Sequence, residues 1–299
     1  MCRLFGLHGG RQRVRGCFWM LEAPQSLATQ SRCQPDGYGI GTFEEDGSPD
    51  VERGVIAAWR DEAFAREARE ECSRTYVVHL RYASSGPPAL VNSHPFLQDK
   101  RLFAHNGVVE GLPDLEARLD GGRSLVQGDT DSERFFALIT CETRRAGGDL
   151  DAGIAAAVRW IGEQLPLYSL NFVLATEDEL WALRYWDTNE LWLLERRAGG
   201  PHGCRHLDET SEAGTLRVRS DDLAACDAVV VASEPMDEHP DWRLLEPGEL
   251  LHVAPDLRCT STTPIGDPPA HQLTLADLSE RAAASQTAEH EAESAARGA

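Results

Sequence analysis

Two helical patterns follow one another between about residues 130 and 165, and strand patterns lie on both sides of them. Thr130-Asp131-Ser132-Glu133 has the Ser/Thr-x-x-Glu form of a capping box. Phe135, Phe136 and Ile139 then recur at helical spacing to about Arg145. A second helix is predicted from about Asp151 to Leu165, with Ile154, Val158 and Ile161 on one face and Pro166 as its stop. Strand patterns precede the pair at residues 3–8, 75–84 and 101–109. Others follow it at 169–175, 180–186, 191–196, 227–233 and 250–254, and two antiparallel hairpins are the economical reading of 169–196. Further helices are predicted from Asp61 to Cys72 and around Leu115 to Leu119. Strands, then two helices, then strands is an α+β order or a layered sandwich, not a βαβ repeat.

The chain has 299 residues and a net charge of −20, enough length for a large buried core. The acidity argues against a nucleic-acid-binding surface, which needs a basic patch. No run of eighteen apolar residues and no signal-peptide pattern occurs, so neither a membrane span nor export is expected. The eight cysteines are scattered and form no CxxC pair, which predicts reduced thiols in a cytoplasmic protein. His202-Gly203-Cys204-Arg205-His206 has metal-ligand residue types but no second ligand pair at a recognised spacing, so no metal is expected. After about residue 260 come prolines, and then Leu273, Leu275 and Leu278, which could start a helix. From Ala282 to Ala299 the Ala/Glu/Ser composition predicts a frayed or disordered tail.

Two stretches carry chemistry. In Arg101-Leu102-Phe103-Ala104-His105-Asn106-Gly107-Val108-Val109 an apolar run meets Asn-Gly, which predicts a turn at the end of a buried strand. The Asn106 side chain and the Gly107 N–H are two donors that could form an oxyanion hole; alone, the pair is more simply a turn. Cys2 becomes the first residue if the initiator Met is removed, and then carries a thiol and a free α-amine together. An N-terminal amine can act as the base for such a nucleophile, since its pKa is about 8. Alone, Cys2 is more simply a buried cysteine in a strand.

Four further stretches stand in order with these: Pro35-Asp36-Gly37-Tyr38-Gly39-Ile40-Gly41, Thr75 to Ser84 with Arg81 beyond an apolar run, Asn92-Ser93-His94-Pro95-Phe96, and Gly128-Asp129-Thr130-Asp131-Ser132-Glu133. The set resembles the class II glutamine amidotransferases, N-terminal-nucleophile hydrolases with a cysteine nucleophile, and among them the stand-alone members. The resemblance spans roughly residues 2 to 255.

It implies a four-layer α/β/β/α sandwich of two antiparallel sheets flanked by helices, with an amidotransferase domain at 2–260 followed by a tail at 261–299. It also implies a reaction without a cofactor. Cys2 would attack the side-chain amide of glutamine, with Asn106 and Gly107 holding the oxyanion. Arg81 and Ser84 would hold the substrate α-carboxylate and Asp131 its α-ammonium. His94 and His105 are then structural, hydrogen-bonding in or near the site, and the α-amine is the base. Tyr82 stands where many relatives have tryptophan, and no basic residue precedes Pro35-Asp36-Gly37. The substrate is expected to be glutamine or a γ-glutamyl amide of a small metabolite, as in thiol biosynthesis. A separate synthase partner stays open, and a silent scaffold with a regulatory role is the remaining alternative.

Overall fold

The computed structural model describes residues 2–82, 89–198, 207–210, 217–220 and 226–286, with 207–210 and 217–220 as backbone. Ser84 and the His202–His206 stretch lie outside the described residues.

A sheet of seven strands has the order Arg243–Leu244, Trp192–Arg196, Ala228–Ala232, Arg3–His8, Thr75–Leu80, Tyr38–Phe43, Pro49–Gly54. A sheet of six has the order Cys259–Thr262, Leu250–Val253, Leu180–Leu183, Leu167–Ala175, Arg101–Val109, Phe96–Gln98. Every strand pairing within these two sheets is antiparallel.

Alternation along the strands builds three apolar layers, because successive side chains of a strand point to opposite faces. Leu4, Val77, Val229 and Val231 of the first sheet meet Leu102, Ala104, Val173 and Leu251 of the second. On the far side of the first sheet, Phe5, Leu7, Tyr76, Val78 and Val230 pack against Phe18, Trp19, Phe64 and Ala68. Phe64 and Ala68 lie on the helix Glu62–Glu70. On the far side of the second sheet, Phe103, Leu170, Phe172 and Leu174 pack against Phe135, Phe136, Ile139, Val158 and Ile161. These come from the paired helices Asp131–Arg145 and Leu150–Gln164. The layers therefore run helix, sheet, sheet, helix, as the resemblance implies.

Three local expectations are corrected. Asn106-Gly107 is no turn: the strand Arg101–Val109 runs through it, with Asn106 opposite Asn171 and Gly107 opposite Leu170. The glycine is needed for room, since a Cβ at 107 would fall on the Ser169 carbonyl oxygen. Second, Leu167–Ala175 and Leu180–Leu183 form a hairpin, but Trp192–Arg196 does not extend it. It crosses to the other sheet and pairs with Ala228–Ala232, a choice that strand patterns do not encode. Third, Leu273, Leu275 and Leu278 precede the helix Glu280–Gln286, in which Ala282, Ser285 and Gln286 are buried rather than frayed; the rest of the expected tail, 287–299, lies outside the described residues.

The two sheets lie close together at Gly6, where a Cβ would come within 2.8 Å of Val173 Cγ1 and 3.0 Å of Leu180 Cδ1. Overpacking a fixed core costs about 1–3 kcal/mol. Gly6→Val is therefore expected to lower the urea midpoint with an unchanged m-value, whereas a midpoint equal to that of wild type would mean the sheets part easily there.

Candidate active site

Cys2 stands one residue before the first strand, where the Arg3–Leu80 register brings it beside Arg81 and Tyr82. Its thiol sits between two groups of one residue. It donates to the Tyr82 carbonyl oxygen at 3.2 Å and accepts from the Tyr82 N–H at 3.2 Å. On the other edge of the strand, Leu4 N donates to Ser233 Oγ at 2.9 Å and Ser233 N donates to Leu4 O at 3.1 Å.

The pocket at this thiol is lined by Cys2, Arg81, Asn106, Gly107 and Asp131, and also by His79, Tyr82, Asn92, His94, His105, Ser132 and Gln286. Five of the six residues expected from sequence thus converge on one small cavity; Ser84 is the sixth. Asn106 Nδ2 donates to the Cys2 carbonyl oxygen at 3.0 Å. A carboxamide NH2 has two donors, so this contact occupies one of them.

The remaining motifs are held by one another. Arg81 N donates to Gly37 O at 2.8 Å and Asp36 N donates to Arg81 O at 3.2 Å, so Pro35-Asp36-Gly37 fixes the backbone of the arginine. Gly39 has no space for a side chain, because its Cβ would meet the His94 carbonyl. Asn92 Oδ1 accepts from Asp129 N at 2.9 Å. Thr130 caps the following helix by accepting from Glu133 N at 3.2 Å. Glu133 Oε2 takes the Gly128 N–H at 2.7 Å, a reach longer than that of the usual capping box. Asp131 Oδ2 accepts from Val109 N at 2.9 Å and Ser132 Oγ meets His105 Nδ1 at 2.9 Å.

Electrostatics constrain who can move a proton. Burial raises the Cys2 thiol pKa, against the Tyr82 backbone contact and the charges of Arg81 and Arg3. Deprotonation therefore needs a base. Burial pushes His79 down to about 3, helped by Arg81, and holds His94 well below the usual histidine range. His105 is lowered by burial as well. A base whose conjugate acid titrates near 3 has little driving force for taking a proton from a thiol at pH 7. His105 is hydrogen-bonded as expected. His94 differs from expectation: neither ring nitrogen has a hydrogen-bond partner among the described residues, and the ring lies tilted against His79 with centroids 4.2 Å apart and edge-on to Phe96 at 4.6 Å.

His79, Asn92 and Gln286 are pocket residues that sequence reasoning did not single out. His79 lies on the strand Thr75–Leu80, two residues before Arg81, which follows the strand's end, so alternation would carry both to one side. Nothing in the sequence marks Gln286.

Residues 1–272 match the family described as "Glutamine amidotransferases class-II". The chain belongs to this family. It is 30% identical over 241 residues to an uncharacterised protein of Methanocaldococcus jannaschii, covering 76% of this chain and 63% of that protein. It is 28% identical over 244 residues to the gamma-glutamyl-hercynylcysteine sulfoxide hydrolase of Mycolicibacterium smegmatis, covering 78% and 88%. Among solved structures, the glutamine phosphoribosylpyrophosphate amidotransferase of B. subtilis superposes with a TM-score of 0.59 at 20% identity, over 89% of this chain and 50% of that one. The superposition bears on the fold: this is the N-terminal-nucleophile sandwich. Among the described residues no helix is long and apolar enough to cross a membrane.

The buried histidines make stability depend on acid. Unfolded, each titrates near its ordinary value of about 6.5. Folded, His79 titrates at about 3 and His94 well below its ordinary value. Their neutral burial costs nothing above pH 6.5 and opposes folding progressively as pH falls below it, by up to about 1.4 kcal/mol per pH unit per group. The melting temperature is expected to fall between pH 6.5 and 4, with a shallower slope in His94→Gln. Equal slopes in the two proteins would show that His94 does not stay neutral in the fold.

Proposed function

We propose that this class II amidotransferase-type enzyme hydrolyses the side-chain amide of glutamine through a γ-glutamyl thioester on Cys2, giving glutamate and ammonia. The observation that carries this reading is the Cys2 thiol lodged against Tyr82 at the mouth of a pocket that also holds Arg81, Asn106, Gly107 and Asp131.

With Met1 removed, the Cys2 α-amine takes the thiol proton, through a water or directly, and the Tyr82 N–H steadies the thiolate. The sulfur forms a bond to the amide carbon, and the carbonyl electron pair moves onto oxygen. Asn106 Nδ2 and the Gly107 N–H receive that oxyanion; losing one such donor typically costs about 3 kcal/mol, or on the order of a hundredfold in rate. The ammonium form of the amine returns its proton to the nitrogen as the carbon–nitrogen bond breaks, and ammonia leaves. Water, deprotonated by the same amine, then cleaves the thioester. Arg81 grips the substrate α-carboxylate in a bidentate pair, with Ser84 as a second contact, and Asp131 accepts from the α-ammonium.

A second reading keeps every one of these steps and changes the leaving group. The match to a gamma-glutamyl-hercynylcysteine sulfoxide hydrolase, over 88% of that enzyme, favours a γ-glutamyl amide of a small metabolite as substrate. Turnover assays on glutamine beside a panel of γ-glutamyl amides separate the two readings. A separate synthase that takes the ammonia belongs with the first reading alone.

Arg81→Lys should raise the KM for the amino-acid substrate far more than it lowers kcat, because lysine keeps the charge and loses the fork that grips a carboxylate. An unchanged KM would remove Arg81 from carboxylate binding.

Processing gives the sharper test. With Met1 retained, the Cys2 nitrogen is an amide and cannot take up a proton near neutral pH. Processed protein is expected to turn over and to be labelled at Cys2 by 6-diazo-5-oxo-norleucine, and protein whose N-terminus is blocked by a tag to do neither. Intact-mass spectrometry beside the activity assay reads both. Equal rates in the two preparations would rule out the amine as base.

A further inference from the structure

The segment after residue 272 lies beyond the family match, yet it reaches the reaction pocket. Gln272 pairs with Leu167 in a parallel bridge, and its Nε2 donates to Tyr168 O at 3.0 Å. Leu273 N adds a bond to Leu167 O at 2.8 Å. The chain then turns, Ser279 Oγ accepts from Ala282 N at 3.2 Å, and the helix Glu280–Gln286 begins. Leu278 and Ala282 seat it on Tyr168, with Val108, Leu273 and Ala283 around them.

The helix is tied down near both of its ends. At one end Arg281 approaches Asp36 at 3.8 Å, on the segment that holds the Arg81 backbone. At the other end Gln286, 6% exposed, lines the pocket together with Cys2 and Asn106. Its Oε1 accepts from Asn189 Nδ2 at 3.1 Å, and its Nε2 donates to Ser285 Oγ at 3.1 Å. Asn189 O in turn accepts from Asn171 Nδ2 at 3.1 Å, and Asn171 is the cross-strand partner of Asn106. Asn171 and Asn189 thus link the strand paired with Asn106 to the helix Glu280–Gln286.

We propose that residues 273–286 form the outer wall of the reaction pocket, and that Gln286 limits the size of the amide substituent the enzyme admits. This rests on the reading of Cys2 as the nucleophile toward γ-glutamyl amides. A wall of one buried, doubly hydrogen-bonded side chain on a seated helix does not give way freely. The native pocket therefore favours glutamine and small amides over bulky ones. Truncating Gln286 opens the wall locally; unseating the helix at Ala282 opens it fully.

The test compares wild type, Gln286→Ala and Ala282→Asp on glutamine and on γ-glutamyl-p-nitroanilide. In parallel, the rates at which iodoacetamide and the much larger fluorescein maleimide modify Cys2 are followed by peptide mass spectrometry. The expected result is a gain on the order of tenfold or more in the nitroanilide-to-glutamine ratio of kcat/KM, and a similar gain in the large-to-small labelling ratio at Cys2. Unchanged ratios in Gln286→Ala and in folded Ala282→Asp would overturn the proposal. If wild type turns over no γ-glutamyl amide, the functional reading fails, and the labelling ratio by itself decides whether the wall exists. If Ala282→Asp does not fold, Gln286→Ala decides.

Discussion

The structure depends on the double pairing of the strand Arg3–His8, which is hydrogen-bonded to Thr75–Leu80 on one edge and to Ala228–Ala232 on the other. Both of its faces are buried as well: Leu4 faces the second sheet, Phe5 and Leu7 the outer helices. A strand so enclosed has no freedom of register, because a one-residue slip would turn every side chain to the wrong layer. Cys2 inherits that rigidity. Its place beside Tyr82 and Arg81 is set by backbone pairing, which positions a reactive group more firmly than a loop would.

Around that strand most polar residues of the motifs are buried and bonded to one another, the His94 ring and Asn106 Oδ1 being exceptions among the described residues. Leaving a buried donor or acceptor unpaired costs about 1–3 kcal/mol, and the motifs avoid this by serving one another. Asn92 supports Asp129, Thr130 and Glu133 close the start of the helix, Asp131 holds Val109, and Ser132 holds His105. Each of these contacts joins segments far apart in sequence or caps the helix between them. This gives a physical reason for the stretches to occur as a set: removing one leaves an unpaired group in another.

The same burial shapes the chemistry. It raises the thiol of Cys2 and suppresses protonation of His79, His94 and His105. A pocket containing three imidazoles would ordinarily invite a histidine base. Here burial disfavours protonation of the imidazoles, which makes them poor bases at neutral pH. Arg81 and Asp131 bring opposite charges to the same pocket.

Much of this was legible in the sequence, for a definable reason. Helix and strand periodicity follow from local geometry, so the helices Asp131–Arg145 and Leu150–Gln164 and most strands could be read within a few residues. The site residues were legible differently: Cys2, Arg81, Asn106, Gly107 and Asp131 stood out only through the family resemblance that their ordered motifs carry, and they do converge. What lay beyond reach was pairing between distant segments. Whether Trp192–Arg196 stays in its hairpin or crosses to the other sheet depends on which apolar face is left to cover, and periodicity is blind to that. Asn106-Gly107 has the composition of a turn, and only the partner strand Leu167–Ala175 keeps it extended. The stretch from Ala282 looked short of apolar residues for packing, yet Ala282 and Ala283 pack with Tyr168 and Leu278, a contact set by the strand that carries Tyr168. Local patterns in the chain were enough for the helices, most strands and the motifs of the candidate site. Which faces met, and that Gln286 lines the same pocket as Cys2, was left to tertiary packing, because packing free energy belongs to pairs of surfaces and not to either segment.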